Sequence, residues 1–254
     1  MRNIKLYLIM LFIPLLLISG CYNQTIDQQP NDNNQNNDNN NDQELVTTGE
    51  GRVIFGVTDL GVDTSSITSI RITIDKIEVH NSDKGWIKVM NTSQTVDLVT
   101  LDKEDIIQLL SDIKLEAGTY QQIRLVLSNI LITDSGGLKN AILPSSEVKI
   151  IGNLNVNPDS ISTVTLDFNA ADSIHIAGNG KYIFAPVIKL ETRKDADVNI
   201  VDDVNRKLVQ INNGKVDTSL EVGMDIDGNT RVGLKIPKDK KLTIKANNKI
   251  SIGI

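Results

Sequence analysis

From about residue 45 to residue 192 the chain alternates apolar and polar side chains with a period of two. Val53, Phe55 and Val57 alternate with Arg52, Ile54, Gly56 and Thr58; Val96 and Leu98 alternate with Thr95 and Asp97; Val164, Leu166 and Phe168 alternate with Thr163, Thr165 and Asp167. A period of two puts one set of side chains on one face of a strand, so the pattern predicts half-buried β-strands. Two long runs change phase midway: Ile70, Ile72 and Ile74 give way to Ile77 and Val79, and Ile123, Leu125 and Leu127 give way to Ile130 and Ile132. A one-residue slip would turn the second half of each run outward, which predicts β-bulges or bends near Asp75-Lys76 and Ser128-Asn129 that let one strand serve two sheets. Further strands are expected near residues 86–90, 147–156, 173–177 and 182–190. Residues 102–110 break the pattern, with Asp102 placed as an N-cap, early acids and apolar residues at helical spacing, so a short helix is expected there. Together these elements predict an all-β fold, an antiparallel β-sandwich with one short helix.

Residues 193–205 turn polar and acidic, with Asp195, Asp197, Asp202 and Asp203, and read as a connector. Residues 206–254 are strand-like again, a small β-rich C-terminal segment punctuated by the hairpin dipeptides Asn213-Gly214, Asp227-Gly228 and Asn247-Asn248. That segment carries ten basic and five acidic side chains, whereas residues 21–205 carry fourteen basic and 27 acidic ones. It is too short to bury a robust core alone, so it is expected to dock on the acidic sandwich, on an anionic envelope polymer or on a protein partner. The chain as a whole has a formal charge of −6, which excludes a nucleic-acid binder, because phosphate recognition needs a clustered positive surface. One cysteine and two histidines leave no disulfide and no thiolate or His-rich metal centre.

The N-terminus reads as an export address. Arg2 and Lys5 precede an apolar run over residues 6–18, followed at once by Ser19-Gly20-Cys21. Thirteen residues at helical rise span about 20 Å, short of the roughly 30 Å hydrocarbon core, so a signal peptide over residues 1–20 fits better than a membrane span. Leu17-Ile18-Ser19-Gly20-Cys21 resembles the lipobox of exported lipoproteins, which implies lipidation of Cys21 and attachment to a membrane on its extracytoplasmic side. Residues 21–44 contain little but Asn, Gln and Asp after the cysteine and cannot bury enough apolar surface to order themselves, so a disordered tether is expected.

Several segments recur in the order of a known family: Gly51-Arg-Val-Ile-Phe-Gly-Val-Thr-Asp59, Ile72-Thr-Ile-Asp-Lys-Ile-Glu-Val-His80, Gly85-Trp86, Val96-Asp-Leu-Val-Thr-Leu101, Ala117-Gly-Thr-Tyr-Gln-Gln-Ile-Arg-Leu125, Leu143-Pro-Ser145, Leu166-Asp-Phe168 and Pro186-Val-Ile188. Over about residues 49–190 the chain resembles Domain of Unknown Function 4382 of exported proteins, a resemblance that implies fold and surface placement and no activity. Leu115-Glu-Ala-Gly-Thr-Tyr120 is also similar to the turn that opens a strand in prealbumin-like and carboxypeptidase-regulatory sandwiches, which implies a sandwich of the prealbumin- or immunoglobulin-like kind. There Gly118 would permit the tight turn, and Tyr120 would bury its ring and return its hydroxyl to the backbone.

Catalytic patterns fail on inspection. Ser111-x-x-Lys114 and Ser146-x-x-Lys149 lack the companion elements of serine-lysine acylases. His80 and His175 have no partner at zinc or triad spacing. Asp225-Ile-Asp227-Gly-Asn229 opens like a calcium loop, but Thr230 and Ile236 stand where Gly and Glu are needed, and a hairpin turn is expected. Asp59 and Asp63, and separately Asp167 and Asp172, lie near strand ends and are the candidates for a ligand or Ca²⁺ site; no other cofactor is expected. The reading is a non-enzymatic cell-surface lipoprotein for recognition, adhesion or envelope scaffolding. The alternative is a carbohydrate-binding accessory module or a hydrolase of the envelope.

Overall fold

The computed structural model describes residues 49–59, 61 and 66–253. Cys21, the signal segment, the Asn/Gln/Asp-rich segment and Asp63 lie outside the described residues. The chain runs through β1 (Glu50–Asp59), β2 (Ile67–Asn81), β3 (Gly85–Met90), β4 (Gln94–Asp97), the helix α1 (Leu98–Glu104), β5 (Gln108–Glu116) and β6 (Gly118–Asp134). It continues with β7 (Gly137–Ile142), β8 (Glu147–Val156), β9 (Ile161–Phe168), the helical turn α2 (Ala170–Ser173), β10 (Ile174–Ile176), β11 (Tyr182–Phe184) and β12 (Val187–Lys194). The last strands are β13 (Val198–Asp203), β14 (Arg206–Ile211), β15 (Lys215–Met224), β16 (Thr230–Val232), β17 (Leu242–Ile244) and β18 (Ile250–Ile252).

Two large sheets result, as expected of a β-sandwich. The first has the order β13-β14-β5-β1-β9-β12-β15-β16, and the second β10-β11-β7-β6-β2-β3, with β4 also on β2 and β8 on β6. Their inner faces close one core. Val53, Phe55 and Val57 of β1 and Val164, Leu166 and Phe168 of β9 pack in one buried cluster with Ile70, Ile72, Ile74, Ile77 and Val79 of β2 and Ile123, Leu125 and Leu127 of β6. The sheets are mixed, not antiparallel throughout: β1 runs parallel to β9, and β11 parallel to β7. The reason is that β1 is flanked by two strands of opposite direction, so one pairing must be parallel once β5 takes the antiparallel edge.

The bulges fall at Asp75 and at Asn129. On β2, Ile74 pairs with Leu127 and Lys76 with Val126, so Asp75 is extra; on β6, Thr73 pairs with Ser128 and Arg71 with Leu131. Asn129 has φ 45°, the left-handed region that such a bulge needs and that Asn tolerates. Both halves of each strand therefore keep their apolar set inward. They also stay in one sheet, contrary to the expectation of a strand shared between two. What the bend allows is a change of neighbour, from β4 beside residues 71–74 to β3 beside residues 77–81.

The helix lies earlier than expected. Asp97, not Asp102, is its N-cap: Oδ1 accepts the N–H of Val99 (3.2 Å) and of Ile70 (3.1 Å), and Oδ2 accepts the Ser69 hydroxyl (2.6 Å). Leu98, which alternation assigned to a strand, is thus helical and buried. Asp105, at φ 50°, ends the helix, and residues 108–116 become β5 because pairing with β1 buries Leu110 and Leu115. A second helical turn, α2, is capped by Asn169, whose side chain accepts the N–H of Asp172.

Residues 193–205 hold the end of β12, a turn at Asp195 (φ 51°) and β13. Residues 206–254 hold β14 to β18, of which β14, β15 and β16 extend the first sheet. β15 pairs with β12 from Val187↔Gly223 to Lys194↔Lys215, and its Val222 and Met224 enter the main core. Deleting residues 206–254 should therefore cost roughly 3–6 kcal/mol for those two side chains alone, besides the lost ladder. The urea midpoint of the shortened chain should fall well below that of the intact one, and an unchanged midpoint would show the segment to be dispensable.

Candidate functional site

The outward face of the first sheet carries what the inward alternation leaves over. Thr58 of β1, Thr165 and Asp167 of β9, and Lys189, Glu191 and Arg193 of β12 share that face, with Thr58 opposite Asp167, Asp167 opposite Lys189 and Thr165 opposite Glu191. The β13–β14 hairpin reaches across it. At one end Ala196 N–H bonds Ile161 O (2.8 Å); at the other, Val209 N–H bonds Ile107 O (2.8 Å) and Arg206 pairs with Glu104. Because β12 and β5 are separated by β9 and β1, the hairpin must span that width. Gly56 makes room for Ile107, just before β5: a Cβ at Gly56 would stand 2.4 Å from Cγ2 of Ile107.

Beside the hairpin a cleft of about 660 Å³ remains open. The six outward side chains named above form its floor, and Ile106, Ile107, Leu208 and Ile211 give its wall an apolar part, with Gln210 and Asn212 beside them. Glu191 holds Arg193 at 2.7 Å, Arg193 Nη1 also donates to Gly214 O (3.2 Å), and Thr58 Oγ1 donates to Ile106 O (2.9 Å). Among the described residues the lining carries no Ser, Cys or His. It offers fixed donors, acceptors and both signs of charge, an arrangement suited to holding a polar ligand by hydrogen bonds.

The four candidate carboxylates are not brought together. Asp167 lies on the floor of the cleft. Asp59 points to the other side of the same sheet and is fully buried; Oδ1 accepts the N–H of Ala170 (3.0 Å), and Oδ2 has no partner among the described residues. Burial pushes its carboxyl up to about 7, and the nearby charges of Asp102 and Asp167 act in the same direction against the Ala170 hydrogen bond. Asp172 stands apart, accepting from Asn169 (3.0 Å) and Lys235 (2.7 Å). Among the described residues no three His, Cys, Asp or Glu side chains form a group that could hold a metal ion.

Ser111 and Lys114 both lie on β5, where residues three apart face opposite sides, so they cannot form a dyad. His175 is buried, and its Nε2 has no partner among the described residues; burial and then Lys238 hold it down to about 4, so it is neutral at physiological pH. The loop at Asp225 is the β15–β16 turn, its Oδ1 accepting from the N–H of Asp227 (2.9 Å) and Asn229 (2.8 Å). Gly118, at φ 147°, opens β6, and Tyr120 is buried with its hydroxyl donating to Glu116 O at 3.0 Å. Sequence reasoning missed the cleft itself, whose one visible signal is the alternation of Lys189, Glu191 and Arg193 with Ile188, Leu190 and Thr192.

Fold and site thus define an all-β, two-sheet domain with no obvious catalytic grouping among the described residues. The family model for a domain of unknown function, DUF4382, matches residues 50–186, and the chain belongs to that family. The match takes in β1 to β11 and stops just before β12, so the family supplies Thr58, Thr165 and Asp167 of the cleft floor, and β12 supplies Lys189, Glu191 and Arg193. No curated protein and no solved structure matches the chain.

Two measurements test this account. Tyr120→Phe leaves the Glu116 carbonyl without its donor and should cost about 1–3 kcal/mol in denaturant unfolding; a change of a few tenths would mean that the bond carries nothing. Asp59→Asn keeps an acceptor for Ala170 and removes the ionisation. Because the folded carboxyl titrates above its unfolded value, it contributes most stability below about pH 4 and loses it as pH rises toward 7. The variant should match the parent near pH 4 and exceed it by about 2–4 kcal/mol at pH 8; a pH-independent difference would refute the shift.

Proposed function

We propose that the chain is a non-enzymatic recognition protein of the cell surface, exported and lipid-anchored through Cys21. Residues 22–44 act as its tether, and a sandwich of the prealbumin- or immunoglobulin-like kind presents the cleft outward. The observation that carries this reading is the cleft: a preformed hollow on a rigid sheet, lined among the described residues by Thr, Asp, Lys, Glu, Arg, Gln and Asn and by no Ser, Cys or His. Such a lining recognises a hydroxyl- and amide-rich ligand, of which the polymers and proteins of an envelope are the accessible source. The lipobox-like Leu17-Ile18-Ser19-Gly20-Cys21 supports the anchor, since two or more acyl chains hold a protein on a bilayer stably.

The experiment has two arms. Cys21→Ser should leave unprocessed precursor or release the protein to the aqueous fraction, and unchanged detergent-only extraction would defeat the anchor. In a thermal-shift screen against envelope glycans, peptides and Ca²⁺, at least one organic ligand should raise the midpoint, and Lys189→Ala with Glu191→Ala should abolish the rise. Turnover of any ligand would defeat the non-enzymatic reading.

A further inference from the structure

The outward face of the second sheet is organised differently. Trp86, the only tryptophan of the chain, stands on the outward side of β3 and belongs to neither buried cluster. His80 meets its ring edge-on at 5.0 Å, and the guanidinium carbon of Arg124 lies 4.0 Å above the ring centroid. Register extends this contact into two rows across four strands. In one, Trp86 faces His80, His80 faces Gln122 and Gln122 faces Ile151, which is 71% exposed; in the other, Lys88 faces Glu78, Glu78 faces Arg124 and Arg124 faces Lys149. Four adjacent strands make a platform about 14 Å wide.

Its charge is opposite to that of the molecule. Lys76, Lys88, Arg124 and Lys149 stand against Glu78 and Glu147, an excess of positive charge in a chain of net charge −6. Glu78 is nearly buried and takes both Lys76 (3.1 Å) and Arg124, the latter through Nε (2.7 Å) and Nη2 (2.5 Å). That clamp fixes the guanidinium over the indole. It leaves Nη1 at 3.8 Å from the Glu147 carboxylate, beyond hydrogen-bond reach, and Lys88 has no ion-pair partner among the described residues. A preorganised guanidinium with free donors is a carboxylate site, and the half-buried indole beneath it adds its uncovered part as an apolar contact for a ring.

We infer that this platform is a second binding surface, separate from the cleft, and that it takes an acidic polysaccharide: a sugar ring packs against Trp86 while carboxylates along the chain meet Arg124, Lys88 and Lys149. The positive excess draws in a polyanion, and the aromatic row discriminates a pyranose chain from a simple anionic peptide.

Because Trp86 is the sole tryptophan, its emission reports this face alone. The full chain is titrated with polygalacturonate, with neutral dextran and with polyglutamate, following tryptophan fluorescence. Polygalacturonate should give a saturable change that weakens with added salt, while dextran and polyglutamate should bind at least about tenfold more weakly. Lys88→Ala with Lys149→Ala, two exposed changes that leave the core intact, should weaken polygalacturonate by about tenfold. Lys189→Ala in the cleft should leave the response untouched. Silence with polygalacturonate, equal binding of polyglutamate or dextran, or unaltered affinity in the double variant would each overturn the inference. A Trp86 response that survives when no ligand is found for the cleft would sustain it while the cleft reading falls.

Discussion

The pairing of β2 with β6 is the constraint on which the rest depends. These are the two longest strands among the described residues, 15 and 17 residues, and neither could stay flat and keep one face in the core over that length. The offset bulges at Asp75 and Asn129 resolve the conflict: each adds one residue on one strand, so the ladder bends while Ile74 and Ile77, or Leu127 and Ile130, still point inward. The outward face follows from the same register. Had Asp75 not been extra, Glu78 and His80 would have faced the core and Ile77 and Val79 the solvent. The Glu78–Arg124–Trp86 arrangement is therefore a consequence of where the sheet bends.

The first sheet is governed by its middle. β1 lies between β5 and β9, and its inner side chains Val53, Phe55 and Val57 are completely buried. Its outer side is covered as well, since Ile54 is 1% exposed and Gly56 lies against Ile107. A central strand covered on both faces tolerates little change, and the cleft begins where that cover ends, at Thr58 and Asp167. Rigid floor and open side arise from one arrangement, because the hairpin pinned at both ends cannot seal the whole width.

What could be read in the sequence divides along the range of the interactions involved. Alternation along β1, β2, β6 and β9 and the two changes of phase depend on neighbours in the chain, and the strands and bulges were legible from them. The helix was misplaced because Asp102 offers a local cap signal, whereas Asp97 is held by Ser69 and Ile70 of a distant strand as well as by Val99. Residues 108–116 were drawn into a strand by β1, some sixty residues away in sequence. The cleft was illegible for the same reason: its floor joins β1, β9 and β12, and its wall joins Ile106 and Ile107 before β5 to β14, whose strand pattern does not show which part of the sheet it lies over. Asp59 shows the limit most plainly, since a carboxylate at a strand end reads as solvated until the packing of Ala170 is known.

The attachment of the C-terminal segment decides between two forces. The opposite charge balances of residues 21–205 and 206–254 suggest electrostatic docking, and ion pairs do cross the boundary: Lys235 meets Asp172 at 2.7 Å, Lys194 meets Asp217 at 3.3 Å, and Arg206 meets Glu104. Pairs as exposed as that of Lys235, whose side chain is 41% accessible, contribute about 0–1 kcal/mol each and are screened by salt. The β12–β15 ladder continues over eight paired positions and carries Val222 and Met224 into the core, and two such side chains alone contribute roughly 3–6 kcal/mol. Backbone pairing and apolar burial therefore hold the segment in place. The charges select its register and orientation: Lys238, which donates to Ala171 O and to Ile174 O (2.7 Å), ties the loop after β16 to the carbonyl end of α2, where a cation is favoured.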